Sequence, residues 1–270
     1  MTRDGQKAEY GNWVSSRMMK LWTAGTLIVD GLCVLSFSAL TASWASAARW
    51  IIQLLLIVLT LAFIFATIYF YICRELFSYS GNSKIQDKIL DYVAAHFDCN
   101  QGRILDIGCG NGALSIKTAK KFPASHITGI DYWGSMWNFA KEQCERNADL
   151  EGVGDRIIFQ KGDAAKLDFP DEYFDGAVSN FVFHEVKSQR DKRLVFREAL
   201  RVVKKGGTFA FHDLFLEEKL YGNIEEFIDE LRKEGIYHVS FLRSSDESFI
   251  PKILKTGFML GRIGLIYGRK

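Results

Sequence analysis

The chain has 270 residues, with 34 Lys+Arg against 32 Asp+Glu and a formal charge of +2. That length accommodates one or two domains without metal or disulfide staples, and the balanced charge supplies no field for coating a nucleic acid. The mean hydropathy of -0.00 averages two unlike parts: from Leu21 to Cys73, 53 residues carry only Asp30 and Arg49 as charges, and the other 64 charged residues lie in the remaining 217.

In chain order, the first apolar run is Leu21 to Ala42. It is long enough to span a bilayer but contains Asp30, Gly25 and Gly31. A carboxylate at mid-bilayer costs roughly 3 kcal/mol on insertion scales unless neutral or paired. The second run, Trp50 to Cys73, has 24 residues, no charge and one Gln. At 1.5 Å per residue it crosses a core of about 30 Å with modest tilt. Trp50 at one end and Tyr69, Phe70 and Tyr71 at the other suit the interfacial belts. The reading is a hairpin of two transmembrane helices, about 21–42 and 50–73, within an anchor of residues 1–75. A buried core helix of such length without charge is rare, a cleaved leader would start earlier, and the first run alone has a re-entrant alternative. Arg3, Lys7, Arg17 and Lys20 precede the hairpin; Arg74, Lys84 and Lys88 follow it; only Arg49 lies between. Both termini are therefore expected in the cytoplasm, with residues 76–270 forming a cytoplasmic domain. The five cysteines show neither metal-site spacing nor a disulfide framework.

After Cys73 strands and helices alternate. Ser83 can cap a helix over Lys84–Phe97, with Ile85, Ile89, Val93 and Phe97 on one stripe. A strand at Arg103–Ile107, a glycine turn and a helix at about Ala113–Lys121 follow. Next come a strand at Ile127–Asp131, a helix at Ser135–Asn147, and strands at Ile157–Lys161 and Phe174–Ser179. A helix at about Arg190–Val203, a strand at Thr208–Phe211 and a helix at Ile224–Lys233 continue the pattern. The chain then offers a short helix near Glu247–Leu254 and one or two strands in Phe258–Tyr267. Such alternation argues an α/β domain with a mostly parallel sheet, which binds ligands beyond the carboxyl ends of its strands.

The densest chemistry is Asp106-Ile107-Gly108-Cys109-Gly110-Asn111-Gly112. A glycine turn between strand and helix lets a ligand approach the backbone, although a tight turn without a ligand reads the same. Asp131 ends the next strand 23 residues after Gly108, where a carboxylate can accept ribose hydroxyls. A nicotinamide site competes, but the turn is G-x-G-x-G followed by Ala113 rather than G-x-G-x-x-G.

From about Lys84 to Lys270 the chain resembles the class I S-adenosylmethionine-dependent methyltransferases, in particular the small-molecule and lipid-modifying group. "LDIGCGNG" resembles the family's first motif and "GIDYW" its acidic motif. "GDAAKLDFPDEYFD" is similar to the adenine-side motif, and "ALRVVKKGGTF" to the helix and turn before strand five. The resemblance implies a Rossmann-like, mostly parallel seven-stranded sheet with helices on both faces, preceded here by the two transmembrane helices. Its implied cofactor is S-adenosyl-L-methionine. Asp106 and the backbone of Gly108, Cys109, Gly110 and Gly112 would hold the amino acid end, and Asp131 the ribose. Tyr132, with Trp133, would pack on the adenine; Asp163, beside Ala164, would take its amino group. Asn180 would lie near the methionine part.

Methyl transfer from a sulfonium is an in-line displacement in which the protein positions the partners. An alcohol, phenol, ammonium or acidic carbon acceptor also needs a base. The candidates at strand ends are His184 and Glu185 after the fourth strand and His212 and Asp213 at the fifth, with His184 first. A loop histidine satisfied by backbone is its structural alternative. His96 and His126 are read as surface residues; His238 reaches the site only if the chain after Gly235 folds back. The hairpin makes a lipid or other apolar acceptor at the bilayer attractive. Two alternatives are an anchored enzyme acting on a soluble metabolite and an inactive methyltransferase-like scaffold or cofactor sensor. The expected partners are the bilayer and the acceptor, with no metal and no nucleic acid; the sequence is silent on oligomeric state.

Overall fold

The computed structural model describes residues 6–38, 46–133 and 141–270. Contacts divide the chain into two compact units, Gly11–Gln86 and the remainder.

The first unit is a helical hairpin. Helix α1 (Ser16–Ser36) starts at Ser15, whose side chain caps Met18 N–H, and α2 (Ser46–Phe77) is a 32-residue helix. Contacts pair high numbers on one helix with low numbers on the other, so they run antiparallel: Trp22 meets Phe70 and Phe63, Gly25 meets Phe63, and Ser36 meets Gln53. A Cβ on Gly25 would lie 2.9 Å from the Phe63 ring, so the small residue permits the close approach that membrane helices favour. Polar contacts link the helices: Thr26 Oγ1 and Thr67 Oγ1 are 2.8 Å apart, and Gln53 Nε2 donates to the backbone Ser36 O at 2.8 Å. The outer surface is Leu, Ile, Val and Phe, including exposed Leu27, Ile28, Leu54, Leu55, Val58, Leu61 and Phe65. Asp30 is also exposed. Both helices have the length and composition to cross a membrane. They start four or five residues earlier than the apolar runs, because helix capping and apolar content mark different boundaries. The spacer expected at Thr41–Arg49 lies partly outside the described residues.

The second unit is built on a seven-stranded sheet in the order β3-β2-β1-β4-β5-β7-β6. The strands are β1 (Gln101–Ile107), β2 (Ala124–Asp131), β3 (Ile157–Lys161), β4 (Phe174–Asn180), β5 (Val203–Asp213), β6 (His238–Leu242) and β7 (Gly264–Arg269). Strands β1 to β5 pair in parallel, while β7 is antiparallel to both β5 and β6. Helices α3 (Ile85–Ala95), α4 (Ala113–Lys121), α5 (Lys141–Leu150), α6 (Lys192–Arg201), α7 (Glu218–Tyr221) and α8 (Ile224–Lys233) complete the unit. Four successive residues of β1, Ile104 to Ile107, are buried. Since neighbours along a strand point to opposite faces, both faces of the sheet are covered. The expected Rossmann-like seven-stranded α/β fold is therefore the one observed.

Two sequence expectations are corrected and a third is met in part. The segment after Gly235, given no element by periodicity, forms β6, and it places His238 opposite Arg269, whose partner on β5 is Thr208, at the sheet end away from the candidate site. The short helix expected at Glu247–Leu254 is two 3-10 turns, Ser244–Asp246 and Lys252–Leu254, separated by Pro251, which has no N–H for a continuous ladder. The helix expected at Ser135–Asn147 is described from Lys141; its first part lies outside the described residues.

Packing fixes the β4–α6 connection. Phe196 on α6 makes edge-on contacts with Phe183, Phe209, Phe211, Phe215 and Phe227. Phe183 is thereby held in the core, and the adjacent His184 is held at the sheet edge. Edge-to-face pairs add about 0.5–1.5 kcal/mol each beyond burial.

Candidate active site

The strand order reverses between β1 and β4, the topological switch at which open α/β sheets bind ligands. Register places Ile107 opposite Ile130 and Ser179, and Asn180 opposite His212. The ends of β1, β2, β4 and β5 thus meet at one edge.

The glycine turn is closed by its own backbone. Gly108, Gly110 and Gly112 have φ of 72°, 55° and 83°, a region that costs other residues roughly 1–2 kcal/mol. The N–H groups of Gly108 and Cys109 both donate to Ile130 O, at 2.8 and 2.9 Å, and Gly112 N–H donates to Cys109 O at 2.7 Å. Gly110 N–H donates to Asp131 Oδ2 at 2.8 Å. With these donors spent, the turn offers a ligand close backbone approach. A Cβ on Gly108 would lie 2.1 Å from Val182 Cγ2, so this glycine also lets the β4 loop pack against the turn.

Asp106 is buried and accepts from Ser115 Oγ at 2.5 Å. Burial pushes its carboxyl up to about 7, the Ser115 hydrogen bonds oppose this, and the Asp131 charge adds to it. Among the described residues no Lys or Arg forms an ion pair with it. Asp131 is half-buried, its Oδ1 accepting from Trp133 N–H at 2.7 Å as well as Oδ2 from Gly110. Each oxygen keeps a lone pair for another donor. Trp133, at φ 42°, donates its indole N–H to Gly110 O at 2.9 Å, locking the turn from outside. Tyr132 is exposed, with Lys161 Nζ 5.0 Å over its ring. Beyond β3, Asp163 Oδ1 accepts from Ala165 N–H and from Ser188 Oγ, and Ala164 is buried beside it.

The four acid/base candidates separate into two arrangements. His184 Nδ1 lies 2.6 Å from Asp213 Oδ1, and Asp213 is buried at the end of β5. Asp213 Oδ2 also accepts from Val182 N–H, and Oδ1 from Leu214 N–H at 2.6 Å. Burial alone would lower the His184 imidazole, but the Asp213 charge and hydrogen bond, helped by Glu185, raise it to about 10. His184 Nε2 is 3.5 Å from Glu185 Oε1. His212 is buried, with Nδ1 2.8 Å from Asn180 Oδ1 and Nε2 2.8 Å from Ser244 Oγ. Burial pushes it down to about 4, against the Asp213 charge. His212 is thus a neutral link between Asn180 and Ser244, with both nitrogens occupied. Neighbours on a strand point to opposite faces, which is why Asp213 reaches His184 and His212 does not.

Several participating residues carried no sequence signal. Ser115 against Asp106, Ser188 against Asp163 and Ser244 against His212 each act across the fold, while Trp133, part of the acidic motif, also ties the turn at Gly110 O. Lys192, buried at the start of α6, donates to Val186 O and to Gln189 O, closing the loop that carries His184.

The donor set fits S-adenosylmethionine. A buried carboxylate with no Lys or Arg ion pair among the described residues, Asp106, suits an ammonium; a strand-end carboxylate with free lone pairs, Asp131, suits a ribose diol; and the glycine turn brings a positive-φ backbone to the same sheet edge.

Known proteins share the domain and its fold. Residues 104–207 match the family described as a methyltransferase domain. A sterol 24-C-methyltransferase of Gibberella zeae is 30% identical over 146 residues, 54% of this chain and 35% of that protein. A phosphatidylethanolamine N-methyltransferase of Cereibacter sphaeroides is 34% identical over 136 residues, 50% of this chain and 62% of that protein. The chain therefore spans about a third to somewhat under two thirds of these curated relatives. The crystal structure of the [4+2]-cyclase SpnF superposes with a TM-score of 0.50 at 20% identity, covering 69% of this chain and 82% of that one, a likeness of fold. The domain built on residues 104–207 belongs to the class I S-adenosylmethionine-dependent methyltransferases, whose cofactor is S-adenosylmethionine.

Proposed function

We propose that the protein is a membrane-anchored methyltransferase, with both termini and the catalytic domain in the cytoplasm, that methylates a lipid or otherwise apolar small acceptor. The observation that carries the membrane part is α2, whose Leu, Ile and Phe side chains are exposed along a 32-residue helix. At about 25 cal/mol per Å², such surface is costly in water and favourable in hydrocarbon. Sterol and phosphatidylethanolamine methyltransferases among the relatives favour an apolar acceptor.

When bound, the cofactor supplies a methyl group on a sulfonium for in-line displacement. In this reading Asp106 binds the ammonium, Asp131 the ribose hydroxyls and Asp163 the adenine amino group, with Tyr132 against the base. Asn180, oriented by His212, lines the methionine side. His184 is the general base, its Nδ1 held by Asp213 so that Nε2 is the nitrogen that takes the acceptor's proton. Below about pH 10 the cofactor-free enzyme holds His184 as an imidazolium. Binding a cation beside it favours the neutral imidazole that the base requires. Glu185, its Oε1 3.5 Å from Nε2 and its carboxyl held low by the His184 hydrogen bond, stays ionised and stabilises the imidazolium that forms.

The test is incubation of the detergent-purified chain with methyl-labelled cofactor and a total membrane extract, followed by phase separation. Label in the organic phase supports the proposal. Label confined to the aqueous phase replaces the apolar acceptor with a soluble one. No label despite tight cofactor binding marks the domain as a scaffold or sensor.

A further inference from the structure

The residues preceding the hairpin pack on the methyltransferase domain. Glu9 N–H donates to Asn147 Oδ1 at 2.9 Å, and Asn147 Nδ2 donates back to Glu9 O at 2.8 Å, the reciprocal pair a neighbouring strand would make. Asn147 is fully buried on α5. Its Nδ2 also donates to Asn111 O, inside the glycine turn, at 3.0 Å, and its Oδ1 accepts from Gln143 Nε2 at 2.9 Å. Two donors and two acceptor sites are the full capacity of the amide. One residue on, Tyr10 O accepts from Asn111 Nδ2, while Tyr10 OH donates to Glu151 Oε1 at 3.0 Å. Asn111 Oδ1 accepts the N–H of Ala113, the first residue of α4. Asn111 is thus held at its carbonyl through Asn147 and at its side chain by the segment itself.

We infer that Gln6–Tyr10 is a strap that completes the cofactor site, with Asn147 the positioning residue that couples it to the glycine turn. The inference rests on the cofactor assignment above. Three glycines at alternate positions give this turn more freedom to lose on binding than any other stretch of the site. Asp131 and Trp133 tie it at Gly110; the strap ties it at Asn111. Ordering the turn in advance removes part of the cost of cofactor binding. By reciprocity, bound ligand then stabilises the strap. The segment is more than a leader to the hairpin.

The experiment uses the full chain in detergent and S-adenosylhomocysteine as an unreactive probe. Binding is measured by calorimetry on wild type, on Glu9→Pro, which removes one N–H, and on Asn147→Ala. Trypsin cleavage after exposed Lys7 is timed with and without the probe. The expected result is about tenfold weaker binding for Glu9→Pro and Asn147→Ala, the size of one or two net hydrogen bonds. The double variant of Glu9 and Asn147 should lose no more than the weaker-binding single one, because both break the same link. Probe should slow wild-type cleavage after Lys7 several-fold and leave that of Glu9→Pro unchanged. If Asn147→Ala does not fold, Glu9→Pro and the cleavage rates decide the matter, since neither disturbs the core. Unchanged affinity in Glu9→Pro together with probe-independent cleavage of wild type overturns the strap alone. Failure of wild type to bind the probe overturns the cofactor assignment first.

Discussion

Replacing Asp106 with Asn separates what this residue costs the fold from what it gives the ligand. In the free protein the carboxyl is held up to about 7 against a usual 3.8, chiefly by burial. A folded-state value above the unfolded one means the folded protein holds the extra proton between those limits. Stability therefore falls as pH rises from about 4 to 7 and then levels. At 1.36 kcal/mol per unit, the full penalty is about 4 kcal/mol, and the part lost between pH 5 and pH 8 is about 3 kcal/mol. The asparagine side chain has nearly the same shape and no charge, so the variant lacks this slope. Thermal unfolding of the ligand-free chain should show Asp106→Asn gaining on wild type by roughly 6–12 °C between pH 5 and pH 8, at about 2–4 °C per kcal/mol for a domain of this size. Other groups titrate alike in both proteins and cancel. Calorimetry should show S-adenosylhomocysteine binding weakened about tenfold or more, because an ammonium loses its charged partner. Parallel unfolding curves across that pH range, or unchanged affinity, would refute the placement of Asp106 as a buried, ligand-facing carboxylate.

Asp131→Ala should reduce cofactor affinity about a hundredfold or more, since it removes a carboxylate with charge-assisted hydrogen bonds and also frees the Gly110 and Trp133 N–H groups it accepts from; equilibrium dialysis reads this directly. His184→Gln should lower kcat by about 10²–10³-fold with little change in cofactor affinity, and a rate close to that of wild type would remove His184 as base. Asp213→Asn withdraws the charge that holds His184 up, so the rising limb of the pH–rate profile should move down by about 2 pH units. In wild type the His184–Asp213 pair contributes stability fully present below about pH 6.5 and lost as pH rises through about 10; unfolding midpoints between those limits should fall less steeply in Asp213→Asn. Gly108→Ala should cost about 2–4 kcal/mol, combining a positive φ with a clash on Val182. Adding Val182→Ala should recover the clash and leave the backbone cost.

The legible parts of this protein are those written in local pattern. The terminal boundaries of α4 and α8 and the whole of β3 follow from periodicity and turn residues, since both act within a few positions. Motif order along the chain was sufficient to identify the family resemblance. Strand β6 was not legible: His238–Leu242 is a short edge strand with a single buried residue, Val239, and it exists because β7 offers it a ladder. Sequence proximity also misled at β5, where His212 and Asp213 are chain neighbours but belong to different arrangements on opposite faces.

The sequence by itself separates a charge-poor apolar stretch from a charge-rich stretch of alternating strands and helices, because apolar content over 24 residues and alternation over some 190 are properties of the chain alone, whereas contacts assign residues 6–10 to the sheet's unit and not to the hairpin's. Tertiary structure decided which groups share a site. It joined His184 to Asp213, 29 positions apart, by a side-chain hydrogen bond of 2.6 Å, and Glu9 to Asn147, 138 apart, by a reciprocal pair of 2.9 and 2.8 Å. Hydrogen bonds act over about 3 Å, and which distant residues come that close is set only when the sheet assembles.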